Sequence, residues 1–98
     1  MHVALTVRKL KPGTYDDWRK AWDPGEGWPE GSRKAYILRN LNDSDEIIAF
    51  GMFEADMEAL RSDASFAETQ RRRLEAMAPF VASTGADGIY EVVEEITP

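Results

Sequence analysis

The chain contains no cysteine and one histidine, His2. Disulfides, thiolate nucleophiles and cysteine metal sites are excluded. A single histidine beside the chain start leaves every serine without the partner that a nucleophilic triad requires. It also leaves a transition metal short of convergent ligands, so no metal and no cofactor is expected. Basic charge is scarce too: twelve Lys and Arg against eighteen Asp and Glu give a net charge of −6. That balance argues against nucleic acid, whose phosphates demand a basic footprint, and against anionic membrane surfaces. No apolar run approaches the roughly 20 residues of a membrane span. Met1-His2-Val3-Ala4-Leu5 enters a strand pattern directly, so a signal peptide is not expected. Absent cysteines fit a cytoplasmic protein. A phosphate loop is missing as well: Gly25-x-Gly27 leads into Trp28-Pro29 and not into a helix.

What is present describes one domain over residues 1–98, with 43% hydrophobic and 31% charged residues. Val3, Leu5 and Val7 alternate on one face of a first strand. Lys11-Pro12-Gly13 is a turn, and Thr14 reads as the N-cap of a helix carrying Asp16 and Asp17 in its first turn. Tyr15, Trp18 and Trp22 share one helical face. Asp23 to Ser32 reads as a loop around Trp28. Lys34 to Leu41 is a second strand, Asn42 to Asp45 a polar hairpin turn, and Ile47 to Phe53 a third strand. Asp56 caps a short helix, which Ser62-Asp63 interrupts, with Asp63 or Ser62 capping a longer continuation. Phe66, Gln70, Leu74, Met77 and Val81 then keep helical spacing, with Pro79 weakening the end. Gly85 to Gly88 reads as a loop and Ile89 to Val93 as the last strand. The order β-α-β-β-α-β is the ferredoxin-like arrangement, an α+β fold with a four-stranded antiparallel sheet and helices on one face.

The third strand is apolar on both sides. Ile48, Phe50 and Met52 line one face, and Ile47, Ala49 and Phe53 the other. Two helical segments cover one side of a small sheet. A second copy of the chain is the expected cover for the other, which makes the protein a homodimer through its sheet face.

The positive chemical signal is aromatic: three Trp, three Tyr and four Phe. Trp18 and Trp22 stand at helical spacing and read as core. Trp28 sits in a Gly/Pro loop where no periodicity demands it, so it reads either as a plug or as a functional loop residue. Phe50, Met52 and Phe66 read as core, or as the lining of an apolar small-molecule pocket between helices and sheet. Tyr36, Arg39 and Asn40 offer polar groups to orient a ligand, or simply face water at a sheet edge. Arg71-Arg72-Arg73 reads as a solvated helix face paired with Glu68 and Glu75. The acidic pairs Asp16/Asp17, Asp43/Asp45 and Glu94/Glu95 read as solvated caps, turns and tails.

The segment Phe53-Glu54-Ala55-Asp56-Met57-Glu58-Ala59-Leu60-Arg61-Ser62-Asp63-Ala64-Ser65-Phe66, with the element order, resembles the dimeric α+β barrel superfamily. Within it, the likeness is to antibiotic-biosynthesis-monooxygenase-like proteins. The resemblance implies two ferredoxin-like subunits packed sheet to sheet and a pocket in each between sheet and helices. It implies activities such as cofactor-free oxygenation of polyketide quinols, haem degradation, or small-molecule isomerisation. Haem-degrading relatives use a histidine on the second helical segment and an asparagine on the first strand. Met57 to Val81 holds no histidine, and the first strand offers Thr6 and Arg8, so haem degradation is disfavoured. The leading expectation is a small-molecule-binding homodimer acting as a cofactor-independent monooxygenase on an aromatic or polyketide-like substrate. Trp28, Tyr36, Arg39, Asn40, Phe50, Met52 and Phe66 would be its substrate-binding residues. The alternative is a non-catalytic ligand-binding or accessory protein of the same fold.

Overall fold

A computed structural model describes residues 1–25 and 27–98. Glu26, inside the loop predicted for Asp23 to Ser32, lies outside the described residues. In chain order the elements are β1 (His2–Leu10), α1 (Tyr15–Trp22), β2 (Ser32–Asn40), β3 (Asp43–Phe53), α2 (Met57–Arg61), α3 (Ala64–Met77) and β4 (Val81–Glu91). A 3₁₀ turn, Ala78–Phe80, joins α3 to β4. The sheet order is β2-β3-β1-β4 with every neighbour antiparallel. This is the ferredoxin-like α+β arrangement expected from the sequence. Among the described residues no helix is long and apolar enough to cross a membrane.

Local chemistry explains most element ends. Asp56 accepts from the backbone N–H groups of Glu58 and Ala59 at 3.0 and 3.4 Å, which starts α2. Asp63 does the same for Ser65 and Phe66 at 2.9 and 3.2 Å, which starts α3. A five-residue helix such as α2 has little stability of its own, so its cap and its packing carry it. Thr14 departs from expectation. Its hydroxyl donates to the Lys11 carbonyl at 2.7 Å and caps no N–H of α1. Helix α3 ends at Met77, because Pro79 cannot donate a backbone hydrogen bond, and Val81 opens β4 instead of closing the helix.

Three strand boundaries also differ. The hairpin turn contracts to Leu41-Asn42, and β3 already begins at Asp43. There Asn40 Oδ1 accepts from Asn42 N at 2.8 Å and Asp43 Oδ1 from Asp45 N at 3.1 Å. Strand β2 starts at Ser32, and Leu41 is left fully exposed. The largest change is at β4, which runs from Val81 and absorbs the predicted Gly85 to Gly88 loop. Thr6 pairs with Asp87 but Arg8 with Thr84, so one extra residue is accommodated as a bulge opposite Val7. The glycines that signal a turn here serve a bend in a strand, because β1 needs a partner along its whole length.

The structure assigns the two faces that the sequence left open. Ile47, Ala49 and Phe53 of β3 and Arg8 and Leu10 of β1 are buried toward the helices. Trp18, fully buried, packs with Trp22, Leu10, Ile47, Ala49 and Met77 into the core. Its ring centroid lies 5.8 Å from Tyr15 and 6.3 Å from Trp22. By the two-residue period of a strand, Val3, Leu5, Val7, Ile48, Phe50 and Met52 face the other way. Tyr36, Leu38 and Tyr90 join them and stay substantially exposed. That side of the sheet is apolar and carries no helix.

Trp18 dominates the core, so Trp18→Ala should cost about 3–5 kcal/mol in urea unfolding. Trp18→Phe should cost clearly less, because the indole N–H has no hydrogen-bond partner to lose. Equal losses for the two would contradict this account.

Candidate functional site

The helix-facing side of the sheet is filled at one end and hollow at the other. Near Leu10 and Ile47, large side chains meet Trp18. Farther along, the floor is built of small residues: Ala4 pairs with Gly51, and Thr6 with Ala49. Above them α3 holds Phe66, Gln70, Arg73 and Met77 on its inner face, a spacing of four, three and four. A cavity of about 260 Å³ remains between floor and helix. Trp22, Trp28, Pro24 and Pro29 wall it on the loop side, and Asp87 and Ile89 of β4 on the other.

The loop wall is held by two close contacts. Gly27 lies against the buried Thr69, where an added Cβ would sit 2.7 Å from the Thr69 methyl. Gly31 adopts φ +84° and accepts at its carbonyl from Glu54 N at 3.1 Å. An added Cβ there would overlap the Glu54 carbonyl oxygen. Between these anchors Trp28 stands edge-on to Trp22, with centroids 5.7 Å apart at 74°.

Two guanidinium groups border this apolar space. Arg8 is 6% exposed; its Nη1 donates to the Thr6 hydroxyl at 3.2 Å and its Nη2 lies 3.6 Å from Asp87. Arg73 donates from Nε to the Trp22 carbonyl at 2.6 Å and from Nη1 to Gln70 Oε1 at 2.9 Å. Its guanidinium also lies over the Trp22 ring, 5.4 Å from the centroid. Burial lowers the pKa of Arg8, and Asp87 partly restores it. Burial lowers that of Arg73 as well, the charge of Arg8 pushes the same way, and Asp23 opposes them. Both groups stay protonated, since arginine starts far above neutrality. In each case the loss of water is the largest cause of the shift.

The predicted site residues divide. Trp28 and Phe66 both line the cavity. Phe50 and Met52 border it only along the β3 backbone, because their side chains belong to the opposite face. Tyr36 is on that opposite face too, its ring 5.3 Å from Phe50. Arg39 lies over Tyr15 at 4.9 Å and Asn40 donates to Glu46 at 3.0 Å in the hairpin. Tyr36, Arg39 and Asn40 therefore do not reach the cavity. The single histidine, His2, stacks on Phe53 at 5.7 Å.

Arg8, Arg73, Gln70 and Asp87 also line the cavity, and the sequence does not single them out. It groups Arg73 with Arg71 and Arg72 as a solvated face. Arg71 does bind Glu68 and Glu75 on the surface, but Arg73 follows Phe66 and Gln70 onto the inner face, and that spacing was the available signal. Arg8 stands on the face of β1 opposite Val3, Leu5 and Val7, and the strand period does not say which of the two faces the helices cover.

No protein-family model matches the chain. No curated protein matches it either. Solved structures do. A protein from Caulobacter crescentus superposes with a TM-score of 0.67 at 17% identity, over 95% of this chain and 90% of its own. One from Nitrosomonas europaea gives 0.66 at 14%, over 96% and 100%. One from Deinococcus radiodurans gives 0.66 at 11%, over 100% and 98%. All three carry the provisional name antibiotic biosynthesis monooxygenase. At such identities the likeness establishes the fold: the chain has the ferredoxin-like α+β fold of antibiotic-biosynthesis-monooxygenase-like proteins over nearly its whole length.

Gly31→Ala should lose about 1–2 kcal/mol from the left-handed backbone alone, and more from the overlap with Glu54. Acrylamide should then quench tryptophan emission more strongly as the Trp28 loop lifts. An unchanged unfolding midpoint and unchanged quenching would show that the loop is not anchored there.

Proposed function

We propose that the protein is a small-molecule-binding homodimer whose cavity beneath α3 takes an aromatic or polyketide-like ligand, and that its reaction is cofactor-independent oxygenation. The cavity carries this reading. Its volume lies near the lower end of small-molecule sites, roughly 300 Å³, and its aromatic walls with a few convergent polar groups match their usual make-up. The provisional names of the structural neighbours point the same way.

In such a reaction the deprotonated substrate itself supplies the electrons to O₂. One oxygen atom enters the ring as a carbonyl and the other leaves as water. The protein's work is to bind the ring, hold its oxyanion and exclude bulk water. Trp22, Trp28 and Phe66 would flank the ring over the floor of Ala4, Ala49 and Gly51. The polar lining would hold the oxygen.

One observation favours the alternative, a non-catalytic binding or accessory protein. The carboxylate found on the cavity wall among the described residues, Asp87, is engaged with Arg8, and His2 stands elsewhere. No free acid–base group borders the ligand space there. Oxygen uptake with hydroxyquinol and anthrone substrates, without added metal, separates the two. Consumption that Gly51→Leu abolishes supports the oxygenase. Tight binding of the same compounds with no uptake leaves only the binding protein. A Gly51→Leu variant that folds and still binds them would refute the cavity as the site.

The bare sheet face supports the homodimer. Val3, Leu5, Leu38, Ile48, Phe50 and Met52 form an apolar surface of the kind that monomers seldom leave uncovered. Two such sheets stack about 10 Å apart in known sandwiches. Light scattering at micromolar concentration should give twice the chain mass of 11.1 kDa. Phe50→Asp should give a folded monomer. A wild-type monomer would overturn the assembly.

A further inference from the structure

Twelve basic residues stand against eighteen acidic ones in this chain. Yet the titratable groups described on the cavity wall are two arginines and one aspartate. Charge of the minority sign has been brought to the edge of an apolar space. A buried cation without a close counter-ion is costly, so its retention calls for an acceptor.

The contacts already made do not satisfy these groups. The Arg8–Asp87 separation of 3.6 Å is longer than the 2.7–2.9 Å of a strong charge-assisted bond. The Asp87 side chain is 51% exposed, so water screens it. Among the described residues the Nε of Arg8 has no acceptor. Arg73 spends Nε and Nη1 on a neutral carbonyl and a neutral amide, which fix its orientation and leave its charge uncompensated by contact. No acceptor is recorded among the described residues for its Nη2. The two groups come from the floor, on β1, and from the roof, on α3. An anion between them would be held from both sides, with the aromatic walls alongside.

We propose that the cavity selects aromatic ligands bearing a carboxylate, which Arg8 and Arg73 receive together. This rests on the cavity-binding reading above and deepens it by naming the ligand's charge. Asp87 then acts as the competitor for Arg8, a placeholder that the ligand oxygen displaces. Charge, more than ring shape, sets the preference, because the apolar walls accept any flat ring of suitable size.

The test is a matched pair of probes, naphthoate and the neutral naphthalenemethanol, titrated calorimetrically into the full chain near neutral pH. Naphthoate should bind about tenfold tighter or more, as charge-assisted hydrogen bonds predict. Arg73→Met should collapse that ratio. Asp87→Asn, at a strand position open to solvent, should raise the ratio severalfold and keeps the proposal testable if Arg73→Met does not fold. Equal affinity for the two probes in wild type overturns the charge selection and leaves the cavity reading standing. So does an Asp87→Asn variant whose ratio is unmoved or lower. Failure of both probes to bind refutes the cavity reading, and this inference with it.

Discussion

The register of β1 against β3 is the constraint on which the rest of the structure depends. Ala4 opposite Gly51 and Thr6 opposite Ala49 put small residues side by side beneath α3. Arg8 opposite Ile47 then lands where the floor meets the core. A slip of one residue in either strand would send that strand's side chains to the other face. Taken by β3, it would place Phe50 and Met52 under the helix and fill the hollow. Taken by β1, it would turn Arg8 out to the open face and bury Leu5. The cavity, the buried guanidinium and the apolar outer surface are thus three consequences of one pairing.

The helices sharpen this division of the sheet. Trp18 and Trp22 from α1 fill the space over Leu10 and Ile47, where dispersion and burial are densest. The inner face of α3 spans the small-residue floor without reaching into it. The Trp28 loop closes the side because Gly27 and Gly31 allow backbone approach to Thr69 and Glu54 that no side chain would permit. Stability and hollowness therefore come from different residues. The core can be tight at one end of the same sheet whose other end stays open.

Electrostatics follow from the packing. Arg8 alternates with Lys9 on β1, and only the former is buried. Arg73 adjoins Arg71 and Arg72 on α3, and only it turns inward. Residues alike in sequence acquire opposite roles because a helix or strand face decides which of them loses water. Lys9, paired with Asp43 at 3.0 Å on the surface, is an ordinary exposed ion pair of small worth. Arg8 and Arg73 are partly desolvated cations beside an apolar space.

Much of the fold was legible in the sequence. The element order, the caps at Asp56 and Asp63, the aromatic face of α1 and the two-sided apolar character of β3 all follow from local propensity and period, which neighbours in the chain set on their own. The composition excluded thiol chemistry. It also argued against a nucleic-acid partner. The Gly85 to Gly88 segment was misread because turn residues and a strand bulge have the same local preferences; only the presence of β1 alongside decides between them. The site was less legible. Trp28 and Phe66 announced themselves by an odd placement and a helical spacing. Tyr36, Arg39 and Asn40 misled, since period alone marks two faces of a strand and does not say which one a helix will cover. That choice belongs to tertiary structure, because it is made by the fit of whole surfaces: Trp18 against Leu10 and Ile47, and α3 over Ala4, Ala49 and Gly51. The sequence by itself determined that β3 would be apolar on two sides. Only the packed molecule decided that its small residues face inward and leave room, and that two arginines stand at the edge of that room.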